Sequence, residues 1–147
     1  MSFEREAWGD LAENEKTGDF GGEEKGYGAP ERRALNAYYQ IKEIADRNAM
    51  GKKLVTGLQR SLLRYIGTID TLSMSLVTNQ SGEEKQAADE ARTRAHNALI
   101  SDLNIISRFC EKNKIDNSWR NVVGSDRKEI TLWALAVSPT IKKELQA

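Results

Sequence analysis

Between residues 55 and 76 the chain places Val55, Leu58, Leu62, Tyr65, Ile69, Leu72 and Leu76 at intervals of 3, 4, 3, 4, 3 and 4. That spacing lines all seven side chains along one side of an α-helix, whereas a strand, whose side chains alternate, would scatter them over both faces. Leu63 and Ile66 widen the line into a stripe. A stripe of that width suits a helix inside a bundle better than an isolated two-stranded coil. Gly57 and Gly67 interrupt the same helix. Each costs about 1 kcal/mol relative to alanine in a helix interior, so they predict close approach of another helix or a bend.

The flanking segments read as further helices. Pro30 suits a first helical turn, and Ala34, Leu35, Tyr38, Ile41 and Ala45 then recur at threes and fours, with Gly51 as the expected stop. Ser81 and Glu84 form an S-x-x-E capping box that opens a helix reaching to about Lys112. On it, Asp89 with Arg92 and Glu90 with Arg94 have the spacing of ion pairs on a solvated face. A connector with Ile115, Trp119, Val122 and Val123 is apolar enough to pack on the bundle. A short helix capped by Ser125 or Asp126 then carries Ile130, Trp133, Ala134 and Val137 on one face, and Ser138 with Pro139 restarts a last turn. The expected fold is all-α, a helical bundle of four to five helices over residues 30–147, forming a single domain.

Residues 1–29 differ in kind. Residues 1–30 hold six of the eleven glycines, and eight acids against three bases give them a net charge of −5. They predict a flexible acidic Gly-rich arm, in which Trp8, Phe20 and Tyr27 are candidate anchors for a partner. The chain as a whole has 22 bases and 22 acids, which argues against a nucleic-acid binder living on net positive charge. The lone cysteine cannot form an internal disulfide and fits a reducing compartment, so a cytoplasmic setting is expected. The acidic N-terminus reads as no export leader, and no run approaches the ~20 apolar residues of a membrane span.

His96 and Cys110 are the only histidine and the only cysteine. Fourteen residues apart on one helix, they stand about 21 Å apart along its axis and cannot share a metal or form a catalytic pair. With Leu99, Leu103 and Ile106 they extend a second apolar line, so a half-buried histidine and a core cysteine are expected. Asn97, Ser101, Asn104 and Arg108 form a polar stripe on that helix, with Asp102 at its side. The stripe could present amides and a guanidinium to a partner, or be solvated surface, or fix bundle register. Lys52, Lys53, Arg60 and Arg64 put positive charge beside the first seam. They suit a phosphate backbone, the chain's own acidic arm, or water. There is no phosphate-cradling glycine loop, paired histidine, nucleophile elbow or paired cysteine, and no cofactor, metal site or catalytic residue is expected.

The stretch "RAHNALISDLNIISRFCEKNKIDNSWRNVVGSDRKEITLWA", residues 94–134, resembles a bacterial family of small helical proteins known as a domain of unknown function. The resemblance implies that these residues form one unit, and it carries no activity or site residues. The expected function is therefore a non-enzymatic binding or regulatory module of bacterial or mobile-element origin that docks on another protein. The alternative is a nucleic-acid-binding regulator using the basic helix face. Homo-oligomerisation through the Val55–Leu76 seam is compatible with either.

Overall fold

In the computed structural model, residues 29–78 and 81–146 are described. The arm, with Trp8, Phe20 and Tyr27, lies outside the described residues. Among those residues the fold is all-α, as the spacing predicts. Its five helices are α1 (Ala29–Ile44), α2 (Ala49–Val77), α3 (Gly82–Lys112), α4 (Trp119–Val123) and α5 (Arg127–Gln146).

Side chains that satisfy the first backbone N–H groups set the helix starts. Asn48 Oδ1 accepts from Gly51 N at 2.8 Å and opens α2. At α3 the capping box is complete: Glu84 N donates to Ser81 Oγ at 3.2 Å and Ser81 N donates to Glu84 Oε1 at 3.0 Å. Asp126, rather than Ser125, caps α5 by accepting from Glu129 N at 2.8 Å, and Glu129 Oε1 accepts in return from Ser125 N and Asp126 N.

The boundary expected at Gly51 falls earlier. α1 ends at Ile44, the turn 45–47 follows, and Gly51 lies in the first turn of α2. A Cβ on Gly51 would stand 2.2 Å from Ile44 O, so the close approach expected at Gly57 or Gly67 occurs here instead. At Gly57 and Gly67 a Cβ would meet no atom within 4 Å.

α2 and α3 form an antiparallel hairpin, tied by the Ser61 hydroxyl to the Asp102 carboxylate and by the Tyr65 and His96 rings, whose centroids are 5.5 Å apart. The connector then runs back along α3, with Asn117 Nδ2 donating to Ser107 Oγ at 2.9 Å and Arg120 Nη2 to Asn104 Oδ1 at 3.3 Å. Of its apolar residues Trp119 and Val123 are buried and Ile115 half-buried, while Val122 is exposed at 38%; residues 119–123 form the short helix α4 rather than a plain connector. α5 descends parallel to α1 and antiparallel to α2. Tyr65 Oη meets Thr131 Oγ1 at 2.7 Å, Trp133 Nε1 donates to Ala34 O at 3.0 Å, and Tyr38 Oη donates to Glu144 Oε1 at 2.6 Å.

The restart expected at Ser138–Pro139 is absent, because α5 runs unbroken through Pro139. Proline there removes the N–H that would reach Leu135 O. Ser138 Oγ approaches that carbonyl at 3.5 Å, and buried Val137 and Ile141 on either side hold the helix in place.

The seam is buried only where α1 and α5 cover it. Val55, Leu58, Leu62 and Tyr65 are sealed in the core, Ile69 and Leu72 are half-buried, and Leu76 is 63% exposed. Past Ile66 the only buried residue of α2 is Ser75, and the first buried residue of α3 is Arg92. Residues 67–77 and 82–91 therefore project beyond the bundle as a two-helix hairpin, by about 16 Å at 1.5 Å per residue. Arg92 stands at its base. It is buried, contrary to the solvated face expected for it, and its Nη2 pairs with Asp89 Oδ1 at 2.8 Å. Glu90 does not take Arg94 as expected but accepts from Gln86 Nε2 at 3.3 Å.

Candidate functional site

Helical spacing does keep each predicted polar set together. Asn97, Ser101, Asn104 and Arg108 are all exposed on the outward face of α3. Two of them are engaged locally: Asn104 accepts from Arg120, and Asn97 Oδ1 stands 3.5 Å from His96 Nδ1. Lys52, Lys53, Arg60 and Arg64 are exposed as well. Lys53, Arg60 and Arg64 share one face at intervals of seven and four, while Lys52 lies around the helix from them.

His96 and Cys110 belong to the packing. Cys110 is fully buried, and burial pushes its thiol up against the opposing pull of the Trp119 indole. Burial holds the His96 imidazole below its ordinary range. The contact with Asn97 opposes that, and the positive charges of Arg127 and Arg92 add to it. His96 Nε2 and Arg92 Nη1 are buried with no protein partner. Among the described residues no group of three His, Cys, Asp or Glu side chains could hold a metal ion, and none of their helices is long and apolar enough to cross a membrane.

One polar cluster escaped the sequence reading. Tyr38 Oη donates to Glu144 and accepts from Gln59 Nε2 at 3.0 Å, while Lys42 Nζ reaches Glu144 Oε2 at 2.9 Å. Burial works to raise the Glu144 carboxyl, but hydrogen bonds from Tyr38 and Lys42 outweigh it and hold the group below the usual carboxylate range. The Tyr38 phenol is raised, first by burial and then by Glu144. This cluster pins the last turn of α5 to α1 and α2, and no sequence spacing announces a contact between residues 106 apart.

The surface that stands out is the tip of the hairpin. Met74 is 57% exposed, Leu76 63% and Val77 79%, with half-buried Ile69 and Leu72 leading to them. Seam spacing alone would place Leu76 in a core. What removes it from the core is the length of α1 and α5, which end level with Tyr65. Residues 67–91, which make up this hairpin, carry five acids (Asp70, Glu83, Glu84, Asp89, Glu90) and one base (Lys85), a net charge of −4. At the other end of the bundle, Gln40, Glu43, Ile44, Arg47, Ile115 and Asp116 line a cleft of about 160 Å³, smaller than the ~300 Å³ at which ligand pockets begin.

A family model described as "Protein of unknown function (DUF3232)" matches residues 25–125, well over half of the chain. The chain belongs to the DUF3232 family. The match is longer than the resemblance seen at residues 94–134, because it begins upstream of α1. It ends at Ser125, so α5 lies beyond the matched DUF3232 region. No curated protein and no solved structure matches the chain.

Proposed function

We propose that this DUF3232 chain is a non-enzymatic module that docks on another protein through its projecting hairpin. The observation that carries the reading is the exposure of Met74, Leu76 and Val77 in the last turn of α2, on a two-helix projection beyond the end of the core. Exposed apolar side chains gathered at one end of a protein and set among polar ones mark association surfaces. Cys110 is buried in the core and half-buried His96 packs on Tyr65, which suits packing roles for both. The lone buried cysteine suits a reducing compartment such as the cytoplasm, and a bacterial or mobile-element origin is part of the same proposal.

The test is affinity capture with the full chain, with a Met74→Ser/Leu76→Ser/Val77→Ser variant, and with a chain starting at Glu31. Captured proteins are identified by mass spectrometry and rebound in purified form. A stoichiometric protein lost with the triple variant is expected. Loss on arm removal alone would move the contact to Trp8, Phe20 and Tyr27. Recovery of nucleic acid instead, released by salt, would overturn the reading in favour of the exposed Lys52, Lys53, Arg60 and Arg64.

A further inference from the structure

We propose that the projecting hairpin of one copy seats on the opposite end of a second copy of the same chain. This inference rests on the docking reading above and names its partner.

The two ends of the bundle are complementary in charge and in apolar content. The hairpin carries −4 together with the exposed Met74, Leu76 and Val77. At the other end α1, α3 and α5 finish and α2 begins. There Arg47, Lys52, Lys53, Lys112, Lys114, Lys142 and Lys143 are exposed against Glu43, Asp46, Glu111 and Asp116, a net charge of +3. Met50 and Leu145, each 53% exposed, lie among these bases.

Bases at the ends of α3 and α5 have an intramolecular reason, since cations stabilise helix C-termini. Lys52 and Lys53 have none. They sit at the start of α2, whose first turn contains no acid and whose dipole disfavours positive charge. Their placement works against their own helix and suits an acidic visitor.

α2 spans 29 residues, so the two ends are about 43 Å apart at 1.5 Å per residue, and one molecule cannot join its own tip to its own base. Tip-to-tip pairing would oppose −4 to −4, and base-to-base pairing would oppose like charges too. Head-to-tail is the pairing that complementarity selects. Such a contact is heterologous, so a pair of copies keeps one free tip and one free base, and assembly continues into a ring or a filament. With three exposed apolar side chains on one side and two on the other, the contact belongs to the small, weak class of interfaces.

Sedimentation velocity of the full chain over roughly a hundredfold range of concentration, at low salt and again at about 1 M salt where charges are screened beyond ~3 Å, tests this. Association is expected to grow with concentration and to fall with salt. Leu76→Ser/Val77→Ser, which removes the tip, and Lys52→Glu/Lys53→Glu, which reverses the base, are each expected to leave monomers. All four positions are exposed, and circular dichroism verifies that both variants fold. Mixed one to one, the two variants are expected to form dimers and nothing larger, because only one intact tip and one intact base remain. A monomeric wild type at low salt, undiminished association of either variant, or a mixture without dimers would overturn the proposal. If another protein is still captured through Met74, Leu76 and Val77 in that case, the docking reading stands while head-to-tail pairing falls.

Discussion

Replacing Gly51, Gly57 and Gly67 by alanine one at a time applies the same chemical change to three positions of one helix with opposite surroundings. At Gly57 and Gly67 the added methyl meets no atom within 4 Å. The helix then gains the full difference in propensity, about 1 kcal/mol, largely through the lower entropy of the unfolded chain. At Gly51 the methyl would stand 2.2 Å from Ile44 O. The obstacle is main chain, and it must retreat by more than 1 Å to reach an ordinary contact. Overpacking costs about 1–3 kcal/mol, and a main-chain obstacle places this case in the upper part of that range, about 2–3 kcal/mol, so after the propensity gain a net loss of about 1–2 kcal/mol is expected. For a folded region of about 120 residues the unfolding entropy is ~250 cal/mol/K, and 1 kcal/mol moves the midpoint by about 4 °C. Thermal unfolding followed by far-ultraviolet circular dichroism should therefore show Gly57→Ala and Gly67→Ala melting about 4 °C above wild type. Gly51→Ala should melt about 4–8 °C below it. If all three variants move together in either direction, the contact between the end of α1 and the start of α2 does not constrain this helix.

Trp133→Phe removes the buried donor to Ala34 O at 3.0 Å while keeping an aromatic ring in the core. A loss of about 1–2 kcal/mol is expected, seen as a lower urea midpoint at unchanged slope. His96 gives a pH signature. Its folded imidazole titrates below the ordinary value because of burial and the nearby Arg127 and Arg92, so between that lowered value and about 6.5 the unfolded chain binds the proton and the folded chain does not. Stability contributed by the neutral ring is complete above about pH 6.5 and falls as acid carries the pH down through that window. Urea midpoints measured from about pH 8 to about pH 5 should fall for wild type, and by less for His96→Gln. Equal slopes for the two would refute the assignment.

How much of this was legible depends on how far each cause acts along the chain. The seam from Val55 to Tyr65, the capping box at Ser81 and Glu84, and the buried line from Leu99 to Cys110 rest on neighbours within one or two helical turns, and the amino-acid order shows them directly. Gly51 misleads because glycine marks both a helix stop and a close approach, and only the position of Ile44 O decides which. Pro139 misleads for a similar reason. A proline breaks a helix whose surroundings are free, whereas Val137 and Ile141 are locked into the core on either side of it. The candidate site was half visible. The apolar periodicity through Leu76 is plain in the amino-acid order, but periodicity says nothing about the length of the helices that cover it. Exposure of Leu76 is a fact about where α1 and α5 stop. The Tyr38, Gln59, Glu144 and Lys42 cluster was invisible, since its members come from three separate helices.

The pairing of α1 with α5 also sets an order of assembly in time. The α2–α3 hairpin closes on contacts such as Ser61 with Asp102, 41 residues apart, whereas Trp133 reaches Ala34 across 99 residues and Glu144 reaches Tyr38 across 106. Short loops close at lower entropic cost than long ones. On a ribosome α1 is made first and finished last. The hairpin can form while α5 is still unsynthesised, and Ala34 and Tyr38 lack their partners Trp133 and Glu144 until α5 has been made. The first helix of the bundle is thus sealed only when the last has been made.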